Sequence, residues 1–93
     1  PNYEPSNITE SQAKTKAESI FSAMYGFGGN YSLVAQNLAG VNYNGFVRIY
    51  NAFGLRQGAV PFSSKMNMIQ WFADEFNEEE LEQLRFLVGR NFF

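Results

Sequence analysis

The sequence predicts an all-α fold, a compact bundle of about five short helices that forms a single domain. The chain has 93 residues, which is the size of one ordinary domain. Apolar residues recur at helical spacing in five segments, and glycine, asparagine or serine separates these segments. No stretch of six residues alternates cleanly between apolar and polar side chains, so the pattern does not support a β fold. Short connections between the helices favour close packing of neighbours.

The first elements are an extended arm and a long helix. Residues 1–8 are polar and contain two prolines, so we expect an N-terminal arm ahead of a helical domain of residues 9–93. Thr9 and Gln12 form a capping box that can start the first helix, and Asn7 and Glu10 offer another slightly earlier. Its apolar positions are Ala13, Ala17, Ile20, Phe21 and Met24. The glycines that begin at Gly26 stop this helix near Tyr25.

Asparagine and glycine bound the next two helices. Asn30 caps a short second helix that ends near Ala39, and Gly40 follows it in a left-handed conformation. Asn42 or Asn44 caps the third helix. Its apolar residues follow the i, i+3, i+4, i+7 pattern, namely Phe46, Ile49, Tyr50 and Phe53.

Residues 55–62 form a longer loop before the last two helices. Ser63 or Ser64 is expected to cap the fourth helix. Asn77 and Glu80 form a capping box for the fifth. The apolar stripe of the fifth helix consists of Leu81, Leu84, Leu87 and Val88.

Composition excludes several function classes. Hydrophobic residues make up 45% of the chain and aromatic residues 17%, which argues against disorder. There is no cysteine and no histidine, so disulfides, thiolate metal sites and the commonest general base are missing. No apolar run approaches 18 residues, which a membrane span requires. We therefore expect no cofactor and no small-molecule substrate.

Charge is distributed unevenly along the chain, whose net charge is −2. Residues 20–73 contain three cations and no acid, whereas residues 74–93 contain six acids and two arginines. Three cations are few for binding phosphates, so the charge disfavours nucleic acid as a partner. The acids fall at the end of one predicted helix and the start of the next, where solvation and the helix dipole stabilise them. With no histidine and no serine facing a lysine, we expect no enzyme.

The aromatic residues exceed what one small core should need, and Tyr and Trp are favoured at interfaces. The candidate interaction residues are Tyr31, Tyr43, Trp71, Phe92 and Phe93. The leading interpretation is a non-catalytic helical module that binds a protein partner or a second copy, such as a small structural subunit of a virus particle. It would act in the cytoplasm or within the assembled particle, because no secretory leader is visible. The alternative is that several of these rings cover the edge of the core.

A separate prediction concerns the burial of the two C-terminal phenylalanines. Each would lose about 1.5–3 kcal/mol of burial free energy if it stayed in water. We therefore expect Phe92 or Phe93 to be buried, either against the first helix near Ile20 and Met24 or in a partner.

Residues 31–50 resemble a helix-turn-helix of DNA-binding proteins. The resemblance rests on a small alanine, a turn glycine and the apolar residues around them, namely Val34, Ala35, Leu38, Gly40, Val41, Phe46 and Ile49. It implies a DNA-binding regulator as an alternative function. The residues that could then contact bases and phosphates are Asn42, Tyr43, Asn44, Arg48 and Asn51.

Over residues 10–90 the chain also resembles one annexin-type repeat. The motifs are the segment 23–28 (AMYGFG) and the Ala-Phe-Gly of residues 52–54. The resemblance implies five short helices, calcium bound by a glycine loop that a distant carboxylate closes, and attachment to acidic lipid surfaces. The corresponding residues here are Gly26, Gly28, Asp74 and Glu75. Our main expectation remains a chain without a metal and without a membrane partner.

Overall fold

Five α-helices make up the fold. They are α1 (Glu10–Met24), α2 (Tyr31–Leu38), α3 (Tyr43–Phe53), α4 (Met68–Glu75) and α5 (Glu78–Val88). The structure is a computed structural model, and it describes residues 4–26, 29–89 and 92–93. Within these ranges, the β pairing is limited to an isolated antiparallel bridge between Arg56 and Met66. The predicted all-α, single-domain bundle is confirmed.

Asparagine side chains start four of the five helices. The predicted caps Thr9, Asn30 and Asn77 are confirmed, and Asn42 rather than Asn44 caps α3. Asn42 Oδ1 accepts a hydrogen bond from the Gly45 N–H at 2.9 Å. Such a bond satisfies a backbone donor that the first turn of a helix leaves unpaired.

The predicted start of α4 at Ser63 or Ser64 is wrong. The N-cap is Asn67, which forms a capping box with Gln70. It lies four residues after Ser63 and three residues after Ser64. Residues 63–66 cannot join the helix, since the Met66 backbone pairs with Arg56 through two hydrogen bonds of 2.9 Å. The non-helical connection between α3 and α4 is therefore longer than the predicted loop of residues 55–62.

Helix α1 lies at the centre of the packing. It contacts α3 and α2, and α2 in turn contacts α5. Ala13 and Ala17 are fully buried, and their small side chains allow neighbouring backbones to approach closely. The core also contains large side chains from every helix, of which the largest fully buried are Phe46, Phe53, Phe72, Ile20, Met24, Leu38, Ile49, Met68 and Leu84. The radius of gyration is 12.7 Å, close to the value of about 12.3 Å for a compact domain of this length.

The C-terminal residues fold back onto the bundle. The Phe92 ring centroid lies 4.3 Å from that of Phe46, and the Phe93 ring centroid lies 5.9 Å from that of Phe72. Both rings are half-buried. Both rings are therefore only partly buried within the chain itself, which falls short of the predicted burial, and these ring neighbours belong to α3 and α4 and not to the expected position on α1.

The helices are short. The longest, α1, has 15 residues. In the part of the chain that the structure describes, none of them combines the length and the apolar composition that crossing a membrane requires.

Candidate interaction surface

The loop of residues 57–65 leaves the bundle through a closed base. Arg56 and Met66 form the base with their paired backbones. Inside the loop, the Gln57 amide donates to the Ser63 carbonyl at 2.7 Å, and the Ser63 N–H donates to the Val60 carbonyl at 3.2 Å. These bonds hold the loop in a defined shape without help from a sheet.

Arg56 anchors this base to the rest of the fold. Its guanidinium donates to the Phe53 carbonyl at 2.8 Å and to Glu18 Oε2 at 2.7 Å. It also lies over two aromatic rings, 4.9 Å from the Phe21 centroid and 4.8 Å from that of Phe53. The hydrogen bond from Arg56 lowers the pKa of Glu18 below its ordinary value.

Residues 60–62 form the tip of this loop, and their apolar side chains point into solvent. Val60 is 70% exposed and Phe62 is 100% exposed. Pro61 and Phe62 are the two central residues of the turn that the Val60–Ser63 hydrogen bond closes. Proline suits the first of these positions, and the positive φ at the second is typical of a type II turn, in which glycine or asparagine normally supplies it.

Phe62 adopts a φ of +66°, alone among the described residues other than glycine. A left-handed conformation costs such a residue roughly 1–2 kcal/mol. Leaving its ring in water forgoes about 1.5–3 kcal/mol more. Two features that reduce the stability of the fold thus coincide at one residue, and such outliers concentrate at functional sites.

A small cavity of about 130 Å³ lies beneath this loop. Gly26, Asp74 and Glu75 line it together with the loop, so three of the residues in the calcium alternative share one cavity. Gly28, the fourth, lies outside the described residues. Ser63 Oγ is buried and has no hydrogen-bond partner among the residues that the structure describes. Among the described residues no group of three His, Cys, Asp or Glu side chains could hold a metal ion.

The Glu75 carboxylate lies close to the glycine loop. A Cβ at Gly29 would lie 2.8 Å from Glu75 Oε2, so glycine is required there unless the carboxylate moves. Burial, and secondarily the charge of Asp74, raises the pKa of Glu75 above its ordinary value. Burial therefore disfavours the charged form of this carboxyl relative to a glutamate in water.

A second exposed aromatic ring lies on α5. Phe86 is 76% exposed and points away from the apolar stripe of its helix. It borders an open depression that is otherwise lined by Glu78, Glu79, Glu82 and Gln83. These residues share one face because they lie three to eight positions before Phe86 along the helix. The result is an apolar ring within an acidic surface.

The structure corrects the place of Trp71 among the candidate interaction residues. Trp71 is only 3% exposed and belongs to the core. Its Nε1 donates to the Arg56 carbonyl at 3.0 Å, and its ring packs against Phe21 and Phe53. The ring supports the base of the loop from inside and is not part of the surface of the folded chain.

The other candidate rings are half-buried. Tyr31 packs edge to face on Phe76 with the centroids 5.4 Å apart. Tyr43 packs on Phe92 at 5.6 Å, and Phe93 packs on α4. These four residues cover the edge of the core, as the alternative interpretation held, and each retains partial exposure.

Two of the candidate nucleic-acid-binding residues, Asn42 and Asn44, bind the backbone of residues 4–5. The Asn42 amide donates to the Pro5 carbonyl at 2.8 Å, and the Asn44 amide donates to the Glu4 carbonyl at 2.6 Å. The Asn42 N–H donates to Asn7 Oδ1 at 3.0 Å. Both asparagine side chains thus bind the protein's own backbone.

Arg48 is engaged in the same way. Its guanidinium donates to the Ile8 carbonyl at 2.9 Å and pairs with Glu10 at 3.2 Å. Asn51 is exposed on the same helix. Residues 4–10 therefore lie against most of the face that a DNA groove would have to meet.

Residues 60–62 and Phe86 are absent from the candidate interaction residues, although Phe62 is one of the aromatic residues in excess of what the core needs. A signal for the former was present, since a valine, a proline and a phenylalanine stand together in a segment without helical periodicity. A signal for Phe86 was its position two residues after Leu84, which places it off the apolar stripe of α5. Both are apolar residues where the local pattern expects polar ones.

Searches against models of protein families, against curated proteins and against solved structures return no match to this chain. The resemblances to a helix-turn-helix and to an annexin-type repeat therefore stay predictions.

Proposed function

We propose that this chain is a non-catalytic helical module that works by protein contact, as part of a larger assembly. The observation that carries the proposal is the fully exposed Phe62 at the tip of a braced loop. A single buried aromatic anchor commonly supplies a large share of the binding free energy of a protein interface. The tip would insert its ring into an apolar site on the partner.

The hydrogen bonds within the loop and at its base support this role. The backbone pairing at the base, the Gln57 bond and the turn at Pro61 restrict the loop before binding. Preorganisation lowers the conformational entropy that association must remove. A free, flexible loop with the same residues would bind less tightly.

The DNA-binding alternative is disfavoured by the placement of its residues. Asn42, Asn44 and Arg48 already bind backbone carbonyls of residues 4–8. Contact with bases or phosphates would require this segment to detach and its hydrogen bonds to be replaced. No comparable competition exists at the loop tip, where Phe62 is fully exposed.

The test is site-specific photo-crosslinking from the tip in the cells that make the protein. A photoreactive benzoyl-phenylalanine replaces Phe62, and the same group at Tyr25, which is 50% exposed, is the matched control. We expect one protein to be crosslinked from position 62 and not from position 25. Where the crosslinked protein is a different chain, excess unmodified chain should suppress this product, whereas excess Phe62→Asn chain should not.

Two outcomes would contradict the proposal. One is that positions 62 and 25 give the same products, because the tip would then have no selectivity. The other is that both competitors suppress the product equally, because the Phe62 ring would then contribute nothing.

A further inference from the structure

Resting on the proposed function, we infer that the partner of the loop tip is a second copy of this chain, which receives Phe62 against the exposed Phe86 face of its α5. The two surfaces complement each other. The tip is a projecting apolar group, and the α5 face is an open depression with an aromatic ring at its border. Aromatic rings pair favourably in edge-to-face or offset geometry.

The charge that the loop carries supports this pairing. Lys65 is exposed beside the tip, and no other described residue forms an ion pair with it. The other two cations of the acid-free middle of the chain are already paired, Arg48 with Glu10 and Arg56 with Glu18. The loop therefore presents a positive charge next to an apolar tip.

The α5 face presents the opposite sign. Glu78 and Glu82 both pair with Arg85, but Glu79 has no ion pair with any residue that the structure describes. Glu79 lies two helical turns before Phe86 on the same face. A second copy could thus place its Phe62 near Phe86 and its Lys65 near Glu79. Opposite charges placed in this way select a partner and its orientation.

The contact joins two different surfaces of the same chain. Each copy therefore carries one loop tip and one α5 face that can bind the tip of another copy. Such an arrangement closes into a reciprocal dimer or a ring, or it continues as a chain of subunits. All three forms fit a module of a larger assembly.

Sedimentation equilibrium of the full chain tests the inference. We expect concentration-dependent association of the unaltered protein between about 10 μM and 1 mM, the range of a small interface with one anchor. Phe62→Asn and Phe86→Ser should each weaken association at least about tenfold. Tyr25→Ser, which alters an exposed ring elsewhere, should not change it.

A mixture of the Phe62→Asn and Phe86→Ser variants tests whether the two surfaces bind each other. The Phe86→Ser chain keeps its tip, and the Phe62→Asn chain keeps its α5 face, so the mixture should form a heterodimer that neither variant forms alone. Lys65→Glu and Glu79→Lys should each weaken association, and combining both in one chain should restore it. Circular dichroism melting of each variant confirms that it is folded.

Either of two results would overturn the inference. The unaltered chain could remain monomeric at 1 mM, or the mixture of variants could fail to associate while the unaltered chain does. If the crosslink from position 62 then identifies a different protein, the proposed function stands and self-association fails. If that crosslink also lacks selectivity, both fail.

Discussion

The C-terminal tail and the loop of residues 57–65 place their phenylalanines in opposite environments. Phe92 and Phe93 fold back and cover the core, whereas Phe62 is fully exposed. Arg85 Nε donates to the Phe93 carbonyl at 3.1 Å and so holds Phe93 against the bundle. The loop is tied at both ends by the Arg56–Met66 pairing, which limits how far its tip can reach back.

Phe62 does not enter the space beneath the loop. The Trp71 ring fills part of this space, since a Cβ at Gly58 would lie 3.7 Å from it, and Phe62 is not among the residues that line the remaining cavity of about 130 Å³. The exposure of Phe62 therefore follows from how the loop is built and not from a shortage of apolar packing elsewhere. This difference separates a ring that stabilises the fold from a ring that is available to a partner.

Removing residues 91–93 should have the largest effect on stability. Loss of two half-buried rings is expected to lower the free energy of unfolding by about 2–3 kcal/mol. For a domain of this size the melting temperature then falls by roughly 8–20 °C. Calorimetry at low and high protein concentration measures it, and the fall should be similar at both. Phe86→Ser, an exposed ring on α5, is the control and should shift stability by no more than about 0.5 kcal/mol. A truncated chain as stable as the full chain would show that the tail does not stabilise the monomer.

Arg56→Met should loosen the base of the loop. The variant keeps the apolar stem but loses the bonds to Phe53 and Glu18, at an expected cost of about 1–2 kcal/mol. Proteolysis within residues 57–65 should accelerate, because a less braced loop opens more often. Arg48→Met removes a similar bond and ion pair at the N-terminal segment and serves as the control. Equal cleavage in both variants would contradict the anchoring role of Arg56.

Phe62→Asn should leave stability unchanged or raise it by up to about 1 kcal/mol. Asparagine tolerates the left-handed conformation at this position, and no packing is lost with a fully exposed ring. Phe62→Val is the contrasting variant, because a β-branched residue is more strained at positive φ and should lower the melting temperature. Thermal denaturation of both variants checks this. A clear loss of stability in Phe62→Asn would mean that the ring packs on the fold.

Glu75→Gln should produce the smallest effect, and its sign depends on pH. Burial and Asp74 raise the pKa of Glu75, so the folded chain holds this proton more tightly than the unfolded chain does. The contribution of Glu75 to stability therefore improves as pH falls through the raised value. The glutamine variant should melt higher at pH 7, and the difference should shrink towards pH 4. Melting curves from pH 4 to 8 test it, and an increase of the difference at low pH would contradict the sign.

The pH dependence of stability expected from Glu18 has the opposite sign to that expected from Glu75. The pKa of Glu18 is lowered by Arg56, so the stability it contributes is present above the ordinary value for a glutamate and is lost as pH falls through the lowered one. This carboxylate is mostly exposed, and solvent reduces the contribution of such a pair.

Local sequence determined the helices. Capping boxes at Thr9, Asn67 and Asn77 and glycines with positive φ at Gly26 and Gly40 act within a few residues, so such boundaries can be read from the chain. The helical spacing of apolar residues likewise identified most of the core. The start of α4 was missed even though its capping box is local, because Ser63 and Ser64 offered an equally plausible cap.

Only the tertiary structure decided which of these caps is used, since the choice depends on Met66 pairing with the backbone of Arg56 ten residues earlier. It also decided which aromatic residues are exposed. Trp71 is buried because Arg56 and two rings from other helices surround it, and Phe62 is exposed because a braced loop carries it away from them. Contacts between distant segments set these outcomes, and the spacing of residues along the chain does not encode them directly.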